Sequence, residues 1–134
     1  MEPVPGGETD LARLLATIEP VAVDGEFVFV PLTDRADVRT FATIVEAEAV
    51  THVVRREVAD DNGWPYDFVA GWITLRVHSS LAAVGLTAAA SAALAARGIS
   101  CNMLAGYYHD HLLVRIDDVA EAIAALEELS AAHR

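Results

Sequence analysis

The residues best equipped for chemistry stand close together in the C-terminal half. His109 and His111 flank Asp110 at the joint between two apolar runs in NMLAGYYHDHLLV, and His78 precedes Ser79 and Ser80 in VHSSLAAVG. In a continuous strand, positions two apart share a face, so His109 and His111 would project together while Asp110 points away. Two imidazoles do not complete a zinc site. A structural site takes four ligands and a catalytic one three plus water, so His78, Asp110 or a partner chain would have to contribute. The other reading is a polar hairpin tip, where Asp110 and the histidines bond the turn backbone or line a subunit contact. His78, Ser79 and Ser80 do not form a nucleophilic triad, and no glycine-rich phosphate loop, HExxH or GxSxG element occurs. No catalytic residue, metal or cofactor is assigned.

The elements that must position these residues follow from composition and pattern. At 134 residues and 54% hydrophobic, the chain suits one domain or two very small units sharing a core. A single cysteine, Cys101, excludes an intramolecular disulfide framework and a Cys-rich zinc site. The net charge of -11 comes from 20 acidic residues against 9 basic ones, all of them arginine. That balance disfavours a nucleic-acid backbone or an anionic membrane as partner. Residues 1–8 read as a mobile start without the features of a secretory signal, and the weakly polar run 81–96 is too short and small-sided for a membrane span. The expectation is a soluble, cytoplasmic protein.

Along the chain, Thr9 or Asp10 caps a helix whose Leu11, Leu14, Leu15 and Ile18 recur on one face, and Pro20 ends it. Gly25 precedes EFVFVPL, a strand apolar on both faces that Pro31 closes. TDRADVRTF is a turn or short helix. ATIVEAEAVTHVVRRE reads as a hairpin, EVADDNG as a short helix stopped by Gly63, and GWPYDFVAG as a joint. WITLRV is a strand. SSLAAVGLTAAASAALAARG is a long helix capped by Ser79 or Ser80 and ended by Gly98. CNMLAGYY and HLLVRID pair as strands joined at His109 and Asp110, with Tyr107 and Tyr108 facing opposite ways. DDVAEAIAALEELSAAHR is an amphipathic helix with Asp118 and Glu121 at capping-box spacing. Strand, helix, strand, strand, helix from Trp72 onward is most of a ferredoxin-like βαββαβ unit, and residues 26–62 read as a degenerate copy. The expected fold is α+β, with helices on one face of an antiparallel sheet. It divides into units at 9–70 and 71–134, each able to borrow its missing strand from the other.

VHSSLAAVGLTA, GISCNMLAGYYHDH and the upstream PYDF, with GEFVFVPL and the EAE hairpin, resemble small standalone ACT-domain proteins, mostly bacterial and of uncharacterised function. The resemblance implies a ferredoxin-like regulatory fold in tandem or as a homodimer. It also implies a small ligand, most often an amino acid, near the first strand-to-helix turn. Many ACT domains carry Pro-Gly there, whereas this chain has Val77-His78-Ser79-Ser80-Leu81. A helix start has unpaired N–H groups and a dipole that favours a carboxylate. The expected ligand positions are therefore His78, Ser79, Ser80, Leu81, Val84, Gly85, Leu86 and Thr87 on the turn and helix start. Asn102, Met103, Ala105 and Tyr107 join them from the neighbouring strand. Tyr108, His109, Asp110 and His111 are further ligand or interface positions. Three functions stay open: a non-enzymatic ligand-binding regulator, an interaction module with an empty pocket, and a metal-dependent enzyme using His78, His109 and His111.

Overall fold

The computed structural model describes residues 10–77 and 80–134. The elements run α1 (Leu11–Thr17), β1 (Pro20–Leu32), β2 (Ala42–Val45), β3 (Val50–Arg55), α2 (Arg56–Asn62), β4 (Val69–Leu75), α3 (Leu86–Ala95), β5 (Asn102–Ala105), β6 (Asp110–Arg115) and α4 (Val119–Ala131), the last preceded by a 3-10 turn. The strands form one six-stranded antiparallel sheet in the order β2-β3-β1-β4-β6-β5.

The central pair explains the architecture. β1 takes its first half, from Pro20 to Val23, alongside Leu75 to Trp72, and its second half, from Phe27 to Leu32, alongside Arg55 to Val50. It is therefore the first strand of one βαββαβ unit and the fourth of the other, and β4 plays the reciprocal part. The strand begins six residues earlier than the EFVFVPL pattern suggests. Gly25, at φ 110°, sits in the register shift between Val23 and Phe27 and lets one continuous strand serve both partners. Pro31 does not close it, since Leu32 still pairs with Val50. From Phe29 on, β1 has only β3 beside it, which leaves room for a residue that cannot donate to a second neighbour.

Strand register also supplies the residue-level repeat that the sequence hides. Phe27↔Arg55 through Leu32↔Val50 repeat as Ala70↔Arg115 through Leu75↔Asp110, and Ala42↔Val53 through Val45↔Val50 as Asn102↔Leu113 through Ala105↔Asp110. Both hairpins close with the same backbone bond, Glu46 N–H to the Ala49 carbonyl at 3.0 Å and Gly106 N–H to the His109 carbonyl at 2.9 Å. The units differ in the next connection. Residues 76–101 include α3, whereas residues 33–41 form no helix. Where the second unit has buried Leu112, the first has buried His52, whose ring bonds Thr43 Oγ1 at 3.3 Å and the Asp34 carbonyl at 3.2 Å. A polar anchor holds the loop where packing holds the helix.

The helices lie on one face. α4 packs its Ala122, Ala125 and Leu126 with Leu94 of α3 on Ile73, Leu75, Leu112 and Val114, and α2 places Ala59 on Val28, Val30 and Val54. Gly71 lets α4 come close, since a Cβ there would stand 2.2 Å from Val119 Cγ2. The capping-box expectation at Asp118 is not met; its side chain makes no capping bond. Asp10 does cap α1, accepting from Arg13 N–H at 2.9 Å. The opposite face carries Phe27, Val53, Ala70, Trp72 and Leu113, flanked by Phe29, Phe41, Phe68 and Leu104.

Candidate functional site at the β4–α3 turn

The long helix starts later than its apolar pattern suggests. Ser80 caps no helix. Its Oγ accepts from Ala82 N–H at 3.0 Å within a turn, and α3 begins at Leu86 behind Gly85, which holds φ 103°. Two constraints cause the delay. A positive φ cannot continue a right-handed helix, and Leu11 of α1 lies so close that a Cβ on Gly85 would be 2.8 Å from Leu11 Cδ2. Residues 80–85 therefore fold over the end of the sheet as a loop. His78 and Ser79 lie outside the described residues.

Under this loop is a cavity of about 170 Å³, lined by Ser80, Leu81, Ala83, Gly85, Leu86, Thr87, Ala105 and Asp110. Register explains why the last two are there. Ala105 and Asp110 are opposed on β5 and β6, and Asp110 is opposed to Leu75, the last residue of β4, so all three face the helix side at the strand ends where the turn leaves the sheet. Asp110 is half-buried, and that burial pushes its carboxyl above the ordinary range against the pull of His111 and His109. The first turn of α3 brings backbone N–H groups with no intrahelical partner. Asp110 and the first residues of α3 thus line one small space, which brings a carboxyl group and a helix start together, an arrangement able to hold both ends of a zwitterion.

The remaining expected positions lie elsewhere. Val84 is 81% exposed. Met103 packs into the core beneath α3 and α4. Asn102 faces the helix-free side, where its Nδ2 donates to the Leu113 carbonyl at 3.3 Å. β5 ends at Ala105, so Tyr107 and Tyr108 stand in the turn with rings 5.0 Å apart, edge to face, and do not point opposite ways. The hairpin tip is Gly106 to His109; Asp110 already belongs to β6.

This geometry answers what the two histidines and the aspartate do. Asp110 and His111 are consecutive on β6 and project to opposite faces. His111 Nδ1 lies 3.3 Å from Trp72 Nε1 and 3.0 Å from Thr74 Oγ1. The Trp72 indole N–H is shared between His111 Nδ1 and Thr74 Oγ1, each at 3.3 Å, and in this arrangement Nδ1 accepts from it, which favours the neutral imidazole. Burial is the main reason its pKa falls below the usual histidine value, and His109 adds to the effect. The His109 and His111 rings are 6.5 Å apart, and among the described residues no group of three or more His, Cys, Asp or Glu side chains is placed to hold an ion. Cys101 is half-buried, and burial pushes its thiol up, away from thiolate reactivity. Asp110, one of the expected ligand or interface positions, lines the cavity, whereas composition and period do not reveal His52 as an anchor.

No helix among the described residues is long and apolar enough to cross a membrane. A comparison with curated proteins finds no match. Among solved structures, a Vibrio cholerae protein of unknown function, given as a possible transport protein, is 38% identical with a TM-score of 0.82, over 90% of this chain and 95% of that one. An Agrobacterium tumefaciens protein superposes with a TM-score of 0.65 at 18% identity, over 84% of this chain and 89% of that one. The regulatory subunit of aspartate kinase from Thermus thermophilus, in ligand-free form, shares the fold with a TM-score of 0.59 at 8% identity, over 84% and 97% of the two chains. Family models described as ACT domain match residues 6–71 and, separately, 68–128. With its two interlocked ferredoxin-like units and a cavity at one strand-to-helix turn, the chain belongs to the ACT-domain family as a tandem ACT protein.

Proposed function

We propose that this protein is a non-enzymatic regulator that binds a small amino acid in the cavity beneath the 80–85 loop. ACT domains are typically small-molecule-binding regulatory modules, which sets the class. The observation that carries the finer reading is Asp110 facing the first turn of α3 across about 170 Å³. The α-carboxylate sits on the free N–H groups of α3, the α-ammonium on Asp110, and a compact side chain against Leu86 and Ala105. The units, dividing near residue 70, carry unequal roles. The second binds ligand, and the first, with loop 33–41 strapped down by His52, acts as its structural partner. Leu81 and Val84, 66% and 81% exposed, form an apolar rim that a second copy covers in a cytoplasmic homodimer. Ligand then acts through its differential affinity for two subunit arrangements.

The test is a thermal-shift screen against the twenty amino acids. A ligand at a hundred times its Kd adds about 2.7 kcal/mol, a shift of several degrees. Asp110→Asn keeps the shape of the cavity and removes the ammonium's partner, so the shift should fall to near zero at the same ligand concentration. A response equal to wild type in that variant, or a flat screen, rejects the reading.

A further inference from the structure

Arginines gather on the helix-free face of the sheet. Three arginines elsewhere meet carboxylates, Arg56 with Glu26, Arg76 with Glu19 and Arg97 with Glu128, and Arg56 also lies 5.6 Å over the Tyr66 ring. Arg39, Arg55 and Arg115 make no ion pair among the described residues and instead lie over rings. The Arg39 guanidinium is 5.2 Å from the Phe41 centroid, Arg55 is 5.3 Å from Phe27 and 5.2 Å from Phe41, and Arg115 is 5.5 Å from Phe68. All three rings belong to the apolar cluster on this face. Register places Arg55, Phe27, Ala70 and Arg115 in one row across β3, β1, β4 and β6, with the two arginines at equivalent positions of the two units. At about 4.8 Å per strand they stand roughly 14 Å apart at their Cα atoms.

Two hollows adjoin on the same face. One, of about 470 Å³, runs past Pro31 and Thr51, and the other, of about 310 Å³, reaches Ser100 and Asn102. Phe29 and Asp67 line both, which makes them one track across the strands. Asp67 is a carboxylate in this track and pairs with none of the three arginines. A guanidinium resting on a ring keeps its in-plane N–H groups available to a carboxylate. On a chain of net charge -11, three such cations without counter-ions on an aromatic floor select an anion. A symmetric second copy would offer these three arginines Asp67, the one carboxylate lining the two hollows among the described residues, and would leave most of the cations unmatched, so the occupant is of another kind.

We propose that the open sheet face docks an extended acidic segment of a partner protein. Its carboxylates meet Arg39, Arg55 and Arg115, and its apolar residues meet Phe29 and Phe68. The test selects binders to the whole protein from a display library of random linear peptides. Recovered peptides should be rich in Asp and Glu. As synthetic peptides they should bind Arg39→Gln/Arg115→Gln roughly tenfold more weakly, the factor that corresponds to about 1.4 kcal/mol. Both positions are exposed, so the fold should persist, and either single variant gives the same comparison if the pair does not fold. Arg55 is left intact because its Nη1 donates to the Asp24 carbonyl at 2.9 Å and holds the strand irregularity. Failure to recover peptides, recovery without acidic enrichment, or equal affinity for the double variant would overturn the proposal. Direct binding of citrate or inorganic phosphate as tight as that of the best recovered peptide would make the occupant a small anion. Wild-type self-association lost in the double variant would make it a second copy. Either result also overturns the proposal.

Discussion

Gly85→Ala gives opposite answers for the two ways of reading the 80–97 segment. If the helix ran from Ser80, Gly85 would sit in its interior, and alanine would stabilise it by about 0.5–1 kcal/mol. In the structure Gly85 holds φ 103° at the N-cap, and a Cβ there would be 2.8 Å from Leu11 Cδ2. A left-handed backbone costs an L-residue about 1–2 kcal/mol. Crowding adds about 1–3 kcal/mol, at the low end here because Leu11 is half-buried and can swing aside. The sum is about 2–4 kcal/mol. Unfolding entropy of about 2.1 cal/mol/K per residue over 134 residues makes each kcal/mol worth roughly 3.6 °C, so Tm should fall by about 7–14 °C. Differential scanning calorimetry measures this directly. Adding Leu11→Ala should recover the crowding share and leave the backbone share, with a coupling of about 1 kcal/mol in the double-mutant cycle. An unchanged or raised Tm in Gly85→Ala would refute the late helix start, and with it the loop that roofs the cavity.

Other consequences are equally direct. Gly71→Ala places a Cβ 2.2 Å from Val119 Cγ2 between β4 and α4, so urea unfolding should show a loss of about 1–3 kcal/mol, and Val119→Ala should restore most of it. His111 titrates below 6.5 in the folded state, so the unfolded chain takes up the proton first. Its contribution to stability is therefore present above pH 6.5 and lost as pH falls from 6.5 through its lowered folded value, a slope that His111→Gln should flatten. Trp72 fluorescence should change over the same range, and an NMR midpoint at or above 6.5 would contradict the hydrogen-bond assignment. His52→Leu supplies the apolar residue found at the equivalent Leu112 position but removes both ring bonds of loop 33–41. Amide exchange there should speed up, with little change in the α3–α4 core.

Element types were legible wherever one local rule decided them. The stripe of α4, the β-branched runs of β2 and β3 and the terminators Gly63 and Gly98 each follow from period or from glycine's access to positive φ. Boundaries failed where a distant residue decided them. α3 yields its expected first turns to Leu11, which is remote in sequence, and β1 extends back to Pro20 because β4 waits beside it. Of the site, the loop and helix-start residues could be read from the chain and the resemblance. Asn102 and Tyr107 could not be placed, because the hairpin turns at Gly106 and a turn displaced by a few residues changes which face each side chain meets.

The sequence by itself determined an acidic, lysine-free α+β chain with a helix after its strand WITLRV, because composition, hydrophobic period and glycine conformation act within a few residues, and its likeness to ACT-domain proteins supplied the family. Only the tertiary structure decided that two units share β1 and β4, that Asp110 takes the helix side of the sheet opposite Leu75 and Ala105, and that three arginines gather over rings on the uncovered face. Those outcomes depend on strand register, and register is set by pairing between residues up to dozens of positions apart, where no local pattern carries the information.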